Sequence, residues 1–439
     1  MSLEIFKQME SEVRSYCRKY PTVFQYAKNA KLIDENGKEY IDFLAVAGSM
    51  NYGHNNPFIK NEIMKYLEKD TIINSLDMYT IAKRDFFETF KNKILAPRKL
   101  NYKVMCCGPT GTNAVEAALK LCRKNKKRNN IIAFSGAFHG MTLGSLALTT
   151  DRTSRGGSGV PLSNVTFAPY DGTLDSLEYL RWILEDDHSG IEKPAAIFLE
   201  TVQAEGGINV ASKEWLQEIR KICDENDILM VCDDIQVGNG RTGYFFSFER
   251  AHIVPDMVVL SKSISGFGMP MALLLMKENL DIFKPAEHNG TFRGNQLAFV
   301  GGEAAIRFFV EKKIDDVVKY NEKIIGDFLN QEIEKIDDRI AIRGIGMIWG
   351  IDFGKIDAGI ALECVHKAFD KQLILEVAGR KDAVLKIMPP LTIEEDVLRQ
   401  GLTILKNVIK DVMRFWKNVC RLRRTYRKSG EKVYGKRKC

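Results

Sequence analysis

Between residues 102 and 262, short apolar runs alternate with amphipathic stretches, and this alternation constrains the chain more than any other feature. The runs are YKVMCCG (102–108), NIIAFSG (130–136), AAIFLE (195–200), DILMVCDDI (227–235) and DMVVLSK (256–262). Two of the intervening stretches, TNAVEAALKLCRKNK (112–126) and SKEWLQEIRKICDEN (212–226), carry helical periodicity, and the second opens on a serine suited to cap it. Apolar strands separated by helices predict right-handed crossovers and a mainly parallel α/β sheet covered on both faces. In such sheets ligands gather beyond the carboxyl ends of the strands.

Earlier in the chain, Glu35-Asn36-Gly37 separates two apolar runs and predicts a hairpin. From about residue 311 the pattern turns to long charged helices and short strands, which predicts a second, smaller α+β domain. The first 55 residues look unable to form a core alone and are expected to join it. The expected division is 1–55 as a segment packing with the small domain, 56–310 as the large domain, 311–414 as the small domain and 415–439 as a basic tail.

The chemistry-bearing residues sit where the strands end. After 102–108 comes GPTGTNAVEAALK, a glycine-rich turn feeding a helix N-terminus, where free N–H groups suit a phosphate. It lacks both the Gly-Lys-Ser/Thr of a P-loop and the G-x-G-x-x-G of dinucleotide binders. After 130–136, Phe138 stands beside His139. The run 227–235 ends on Asp233 and Asp234, and unpartnered carboxylates there would cost several kcal/mol each, so one is expected to meet a cation. Lys262 follows Asp233 by 29 residues, about one further strand unit. Each motif has a bland explanation on its own. Together, a phosphate cradle, a stacking aromatic, a buried acid and a strand-end lysine are what pyridoxal 5'-phosphate (PLP) requires.

Composition narrows the rest. The net charge of +7 is misleading, because residues 414–439 hold 11 Lys or Arg against one Glu, leaving 53 basic and 56 acidic residues before them. A solvated terminal extension explains the basic tail, and nucleic acid is not expected as a main partner. No apolar run reaches the roughly 18 residues of a membrane helix. Nine scattered cysteines, with no C-x-x-C pair and no His/Cys cluster at zinc spacing, predict reduced thiols, a cytoplasmic protein and no metal.

Over residues 1 to about 414 the chain resembles the class III aminotransferases of fold type I. The match is closer to the diaminobutyrate:2-oxoglutarate group of ectoine synthesis. The stretches that carry it are MESEVRSYCRKYP, NYGHNNP, GPTGTNAVEAALKL, FHGMTLGSLA, ETVQAEGG, DDIQVGNGRTGYFFSFE, LSKSISGFGMP and HNGTFRGNQLAF. The resemblance implies a seven-stranded, mainly parallel sheet and a homodimer. It makes Lys262 the Schiff-base and proton-shuttling lysine, Asp233 the partner of the pyridine nitrogen and Gln236 a neighbour of the cofactor's phenolic oxygen. Gly111 and Thr112 would hold the phosphate with Thr291 of the other subunit, while Phe138 and Ile235 would sandwich the ring. Glu205 would lie on the substrate side.

Where the wider class usually has an arginine before Pro-Pro, this chain reads VLKIMPPL, with Lys386 there. Lysine loses the bidentate fork but keeps the charge. That departure disfavours simple transfer of ornithine or 4-aminobutyrate specificity and agrees with the diaminobutyrate group. The implied reaction interconverts L-glutamate plus L-aspartate 4-semialdehyde with 2-oxoglutarate plus L-2,4-diaminobutyrate. The product would go to ectoine or, alternatively, to a siderophore.

Overall fold

The computed structural model describes residues 3–428, with no side-chain description beyond Lys417. Each predicted apolar run is a strand: Tyr102–Cys106, Ile131–Phe134, Ala196–Leu199, Leu229–Asp233 and Met257–Leu260. Two more, Val165–Ala168 and Leu273–Lys277, complete a seven-stranded sheet. Across it the strands run 102–106, 273–277, 257–260, 229–233, 196–199, 131–134 and 165–168. Five of them pair in parallel from 257–260 to 165–168. Leu273–Lys277 is antiparallel to both neighbours. Residues 261–272, which connect it to the preceding strand, hold only a 3-10 turn, and a parallel return needs a longer crossover.

The covering helices follow from their caps and their apolar faces. Ser212 accepts a hydrogen bond from the Trp215 N–H and starts Lys213–Glu225, whose Trp215, Leu216, Ile219, Ile222 and Cys223 are buried. Gly111–Lys126 buries seven side chains, including Val115, Leu119 and Cys122. Its Thr110 makes no side-chain capping bond. The Asn113 N–H turns back to the Thr110 carbonyl, and the N–H groups of Gly111 and Thr112 are left for another acceptor.

The predicted hairpin forms as Lys31–Asp34 against Glu39–Asp42. Leu373 and Ile374 add in parallel to Ile41 and Asp42, so the opening residues share a sheet with the C-terminal part. A second small sheet runs Ala341–Ile345, Ile348–Asp352, Val384–Ile387 and Glu376–Ala378, all antiparallel. The final helix does not stop at the expected boundary of 414. It spans Glu395–Lys428, and Trp416 is buried with its indole N–H donating to Glu363 at 2.8 Å. An apolar residue placed at helical spacing among basic ones keeps that helix docked, which net charge alone did not reveal. Residues 429–439 of the basic tail lie outside the described residues.

Arg241 joins these parts. It is fully buried, and its guanidinium donates to the carbonyls of Met347 (2.9 Å) and Pro389 and to Asn51 Oδ1 (2.5 Å). Burial pushes its pKa down to about 9 against the opposing charge of Asp42. Arg241→Ala would strand three buried acceptors, each costing about 1–3 kcal/mol. Denaturant unfolding of the variant should show a loss of about 3 kcal/mol or more, and an unchanged midpoint would contradict this role.

Candidate active site

A cavity of about 190 Å³ opens at the carboxyl ends of the parallel strands, lined among others by Gly111, Thr112, Phe138, Asp233, Gln236 and Lys262. Ile235, Glu205, His139 and Glu200 also reach it. Eight of the ten residues singled out from the sequence therefore converge on one space. Lys386 lies immediately behind Glu205. Thr291 is exposed, in a short turn Thr291–Gly294, and does not line the cavity of its own chain.

Asp233 ends its strand beneath the cavity, and its partner is His139. The His139 Nδ1 to Asp233 Oδ2 distance is 2.7 Å, with the imidazole buried and its Nε2 unpartnered. Burial alone would lower the imidazolium pKa, but the Asp233 carboxylate outweighs it and raises the value. Asp233 Oδ1 accepts the Ile235 N–H at 3.1 Å. The neighbouring Asp234 points elsewhere and takes the Ser247 N–H at 3.0 Å, with burial pushing its pKa to about 7. Glu200, whose Oε1 accepts the Phe138 N–H at 3.0 Å, is pushed by burial to about 8.

Lys262 begins a 3-10 turn in the left-handed region at φ 51°. A non-glycine residue there carries strain of order 1–3 kcal/mol. Desolvation lowers its pKa to about 8 despite the opposing charge of Glu205. Next to it, Ser263 Oγ donates to the Gly48 carbonyl (2.8 Å) and accepts the Asn51 N–H (2.9 Å). Gln236 Nε2 donates to the Ala47 carbonyl at 3.0 Å, while its buried Oε1 has no partner. Ala45, Val46 and Ala47 all hold positive φ, a left-handed turn that these contacts tie to Gln236 and Ser263.

On the far side, Lys386 is 1% exposed and lies 2.7 Å from Glu205 Oε1 and 2.9 Å from Glu376 Oε2. Burial would lower its pKa, but the two carboxylates raise it, so it stays charged. Burial would raise Glu205, yet Lys386 and Lys262 hold it down to about 2.

The residues fit PLP. The uncapped turn at Gly111–Thr112 offers N–H groups and a hydroxyl to a phosphate. A Cβ at Gly111 would come within 2.8 Å of Ile235 Cδ1, so glycine is what lets Ile235 close on that turn. Gly140 has φ 125°, and a Cβ there would strike Thr112 Oγ1 at 2.5 Å. The unpartnered Gln236 Oε1 and the desolvated amine of Lys262 face the same space.

The chain belongs to the class III aminotransferases, whose family pattern it matches over residues 15–409. These are PLP-dependent enzymes. It is 49% identical over 417 residues to a diaminobutyrate–2-oxoglutarate transaminase of Wolinella succinogenes, covering 94% of this chain and 97% of that one. It is 48% identical over 419 residues to the same-named protein of Streptomyces coelicolor, covering 93% and 98%. The ornithine aminotransferase of Toxoplasma gondii has the same fold, with a TM-score of 0.83 over 94% of this chain and 95% of that one at 24% identity.

His139, Glu200 and Glu376 were not assigned roles from the sequence. His139 could have been found by asking what cation neutralises Asp233. Glu376 carried no local signal, because its partner is ten residues away across a hairpin whose register the sequence does not print.

The low pKa of Lys262 has a kinetic consequence, since only its neutral form attacks an aldehyde. Cofactor capture by the apo-protein should speed up as pH rises toward about 8 and level off above it. Stopped-flow absorbance across pH 6.5–9.5 checks this, with a flat profile counting against it. Borohydride reduction of the holo-protein followed by peptide mapping should mark Lys262 and no other lysine.

Proposed function

We propose that the chain interconverts L-glutamate plus L-aspartate 4-semialdehyde with 2-oxoglutarate plus L-2,4-diaminobutyrate. The observation that carries this reading is Lys386, held by Glu205 at 2.7 Å where the wider class uses arginine, in a chain close to half identical to transaminases named for that reaction. Bound PLP supplies an aldehyde and an electron-accepting ring that stabilises negative charge at the reacting carbon.

The chain's own residues do the remainder. Lys262 would hold the cofactor's aldehyde carbon and, as a free amine, would carry the proton at the reacting carbon. Asp233, held by His139 and the Ile235 N–H, would keep the ring nitrogen protonated. Gly111 and Thr112 would bind the phosphate, Phe138 and Ile235 would hold the ring, and the amide of Gln236 would meet the phenolic oxygen.

One pocket has to serve both half-reactions. Glutamate brings two carboxylates, whereas diaminobutyrate brings a carboxylate, a second ammonium and the reacting γ-amine. Lys386 accepts the glutamate carboxylate once Glu205 turns aside, and Glu205 returns to it when diaminobutyrate binds. Glu205 can do so because its side chain is about 31% exposed on a short loop. Losing a charge-assisted contact costs about 1.5–3 kcal/mol, a roughly tenfold to hundredfold drop in specificity constant. Lys386→Ala should show that drop with glutamate when each half-reaction is followed by stopped-flow spectroscopy. A wild-type preference for ornithine or 4-aminobutyrate over diaminobutyrate would overturn the substrate reading.

We further assign a homodimer that shares its active sites. Thr291 is exposed and away from its own cavity, and the segment around Asn74, which pairs with Asn295 just after it, exposes Ile73, Met78 and Tyr79 alongside the exposed Phe292. Chains carrying Lys262→Ala, mixed with chains carrying Thr291→Glu, should regain activity, because one site of the mixed dimer holds neither change. An active monomer on dilution would contradict this. The seven described cysteines are all free, in keeping with a cytoplasmic enzyme. We place its product in ectoine synthesis and osmoprotection, with loss of ectoine under salt stress in a strain lacking the gene as the check.

A further inference from the structure

Lys386 contacts two carboxylates, and they are not equivalent. Glu205 sits on the loop after Val202–Gln203 and is about 31% exposed. Glu376 is 5% exposed and stands opposite Lys386 in the register of two paired strands, Glu376–Ala378 and Val384–Ile387. A swing of Glu205 is open to it, whereas the Glu376 side chain is buried on a paired strand with no exposed space to swing into. Lys386 Nζ lies 2.9 Å from the buried Glu376 Oε2, and the Tyr16 hydroxyl also hydrogen-bonds this carboxylate, so Glu376 is held from two sides.

The formal charges are +1 on Lys386 and −1 on each glutamate, so the trio as it stands carries one negative charge. That excess faces the side of the cavity on which Glu205 lies. When Glu205 turns away, Lys386 and Glu376 remain as a neutral pair rather than a bare cation. A dicarboxylate arriving there finds a donor without net positive charge. An amino acid with a second ammonium finds, with Glu205 in place, a net negative wall.

We infer that Glu376 is a specificity-determining residue, a fixed carboxylate that biases this pocket toward amino acids carrying a second ammonium and against dicarboxylates. The inference rests on the diaminobutyrate reading above. It adds that the bias comes from the immobile acid rather than from the Glu205–Lys386 pair alone. A purely structural counter-ion for Lys386 would instead alter both substrates in the same sense.

Glu376→Gln keeps the size of the side chain and removes its charge. In the holoenzyme, KM for diaminobutyrate should rise about tenfold or more while KM for glutamate falls, with kcat in each half-reaction within about twofold of wild type. Calorimetric titration of the same holoenzyme with glutarate, a dicarboxylate that cannot react, should show tighter binding in the variant. Should Glu376→Gln not give folded holoenzyme, Glu376→Asp carries the test. Drawing the charge back by one methylene should move the two KM values apart in the same senses, by a few-fold. KM values that move together, or do not move, overturn the inference, as does unchanged or weaker glutarate binding by Glu376→Gln. A wild-type enzyme that prefers ornithine or 4-aminobutyrate overturns the substrate reading instead, so the two failures are distinguishable.

Discussion

A guanidinium buried without a carboxylate in hydrogen-bonding reach has to be held by several neutral oxygens at once, and Arg241 is held by three from distant parts of the chain. Asn51 lies just after the left-handed turn held by Gln236 and Ser263, Pro389 lies three residues beyond Lys386, and Arg241 itself lies eight beyond Asp233. One side chain therefore fixes three segments that carry or brace residues of the site. Neutral oxygens do the holding, and Asp42 opposes the desolvation of the guanidinium from beyond hydrogen-bonding distance.

The electrostatics of the cavity are organised on two sides of Lys262. On one side Asp233 is matched by His139, with Glu200 pushed up to about 8 by burial. On the other, a single ammonium is shared between two carboxylates. The amine between them is desolvated, and Lys386 and Glu205 act on it in opposite senses, leaving its pKa at about 8. Charge is thus concentrated on the two walls, and the reacting amine releases its proton far more readily than an ordinary lysine.

Backbone strain collects at the same place. Ala45, Val46, Ala47 and Lys262 all occupy positive φ, at a cost of order 1–3 kcal/mol each. The hydrogen bonds of Ser263 and Gln236 to the turn offset part of that cost and tie it to the residue that follows Lys262. A sequence read by propensity gives no warning of this, since alanine and valine ordinarily avoid the left-handed region.

What the sequence determined by itself was whatever is periodic or local. Strand runs such as 229–233 and 257–260, the cap at Ser212 and the glycine-rich turn at Gly111 were legible because each depends on neighbours a few residues away. The motifs at the strand ends were enough to bring Asp233, Phe138 and Lys262 to one address, since a parallel sheet puts those ends on one edge. The antiparallel return of Leu273–Lys277, the docking of Trp416 and the pairing of Asp233 with His139 were decided by tertiary structure. So was the placing of Glu376 against Lys386, because a cross-strand contact depends on the register of a hairpin and the packing of a sheet, and neither is set by the residues in contact.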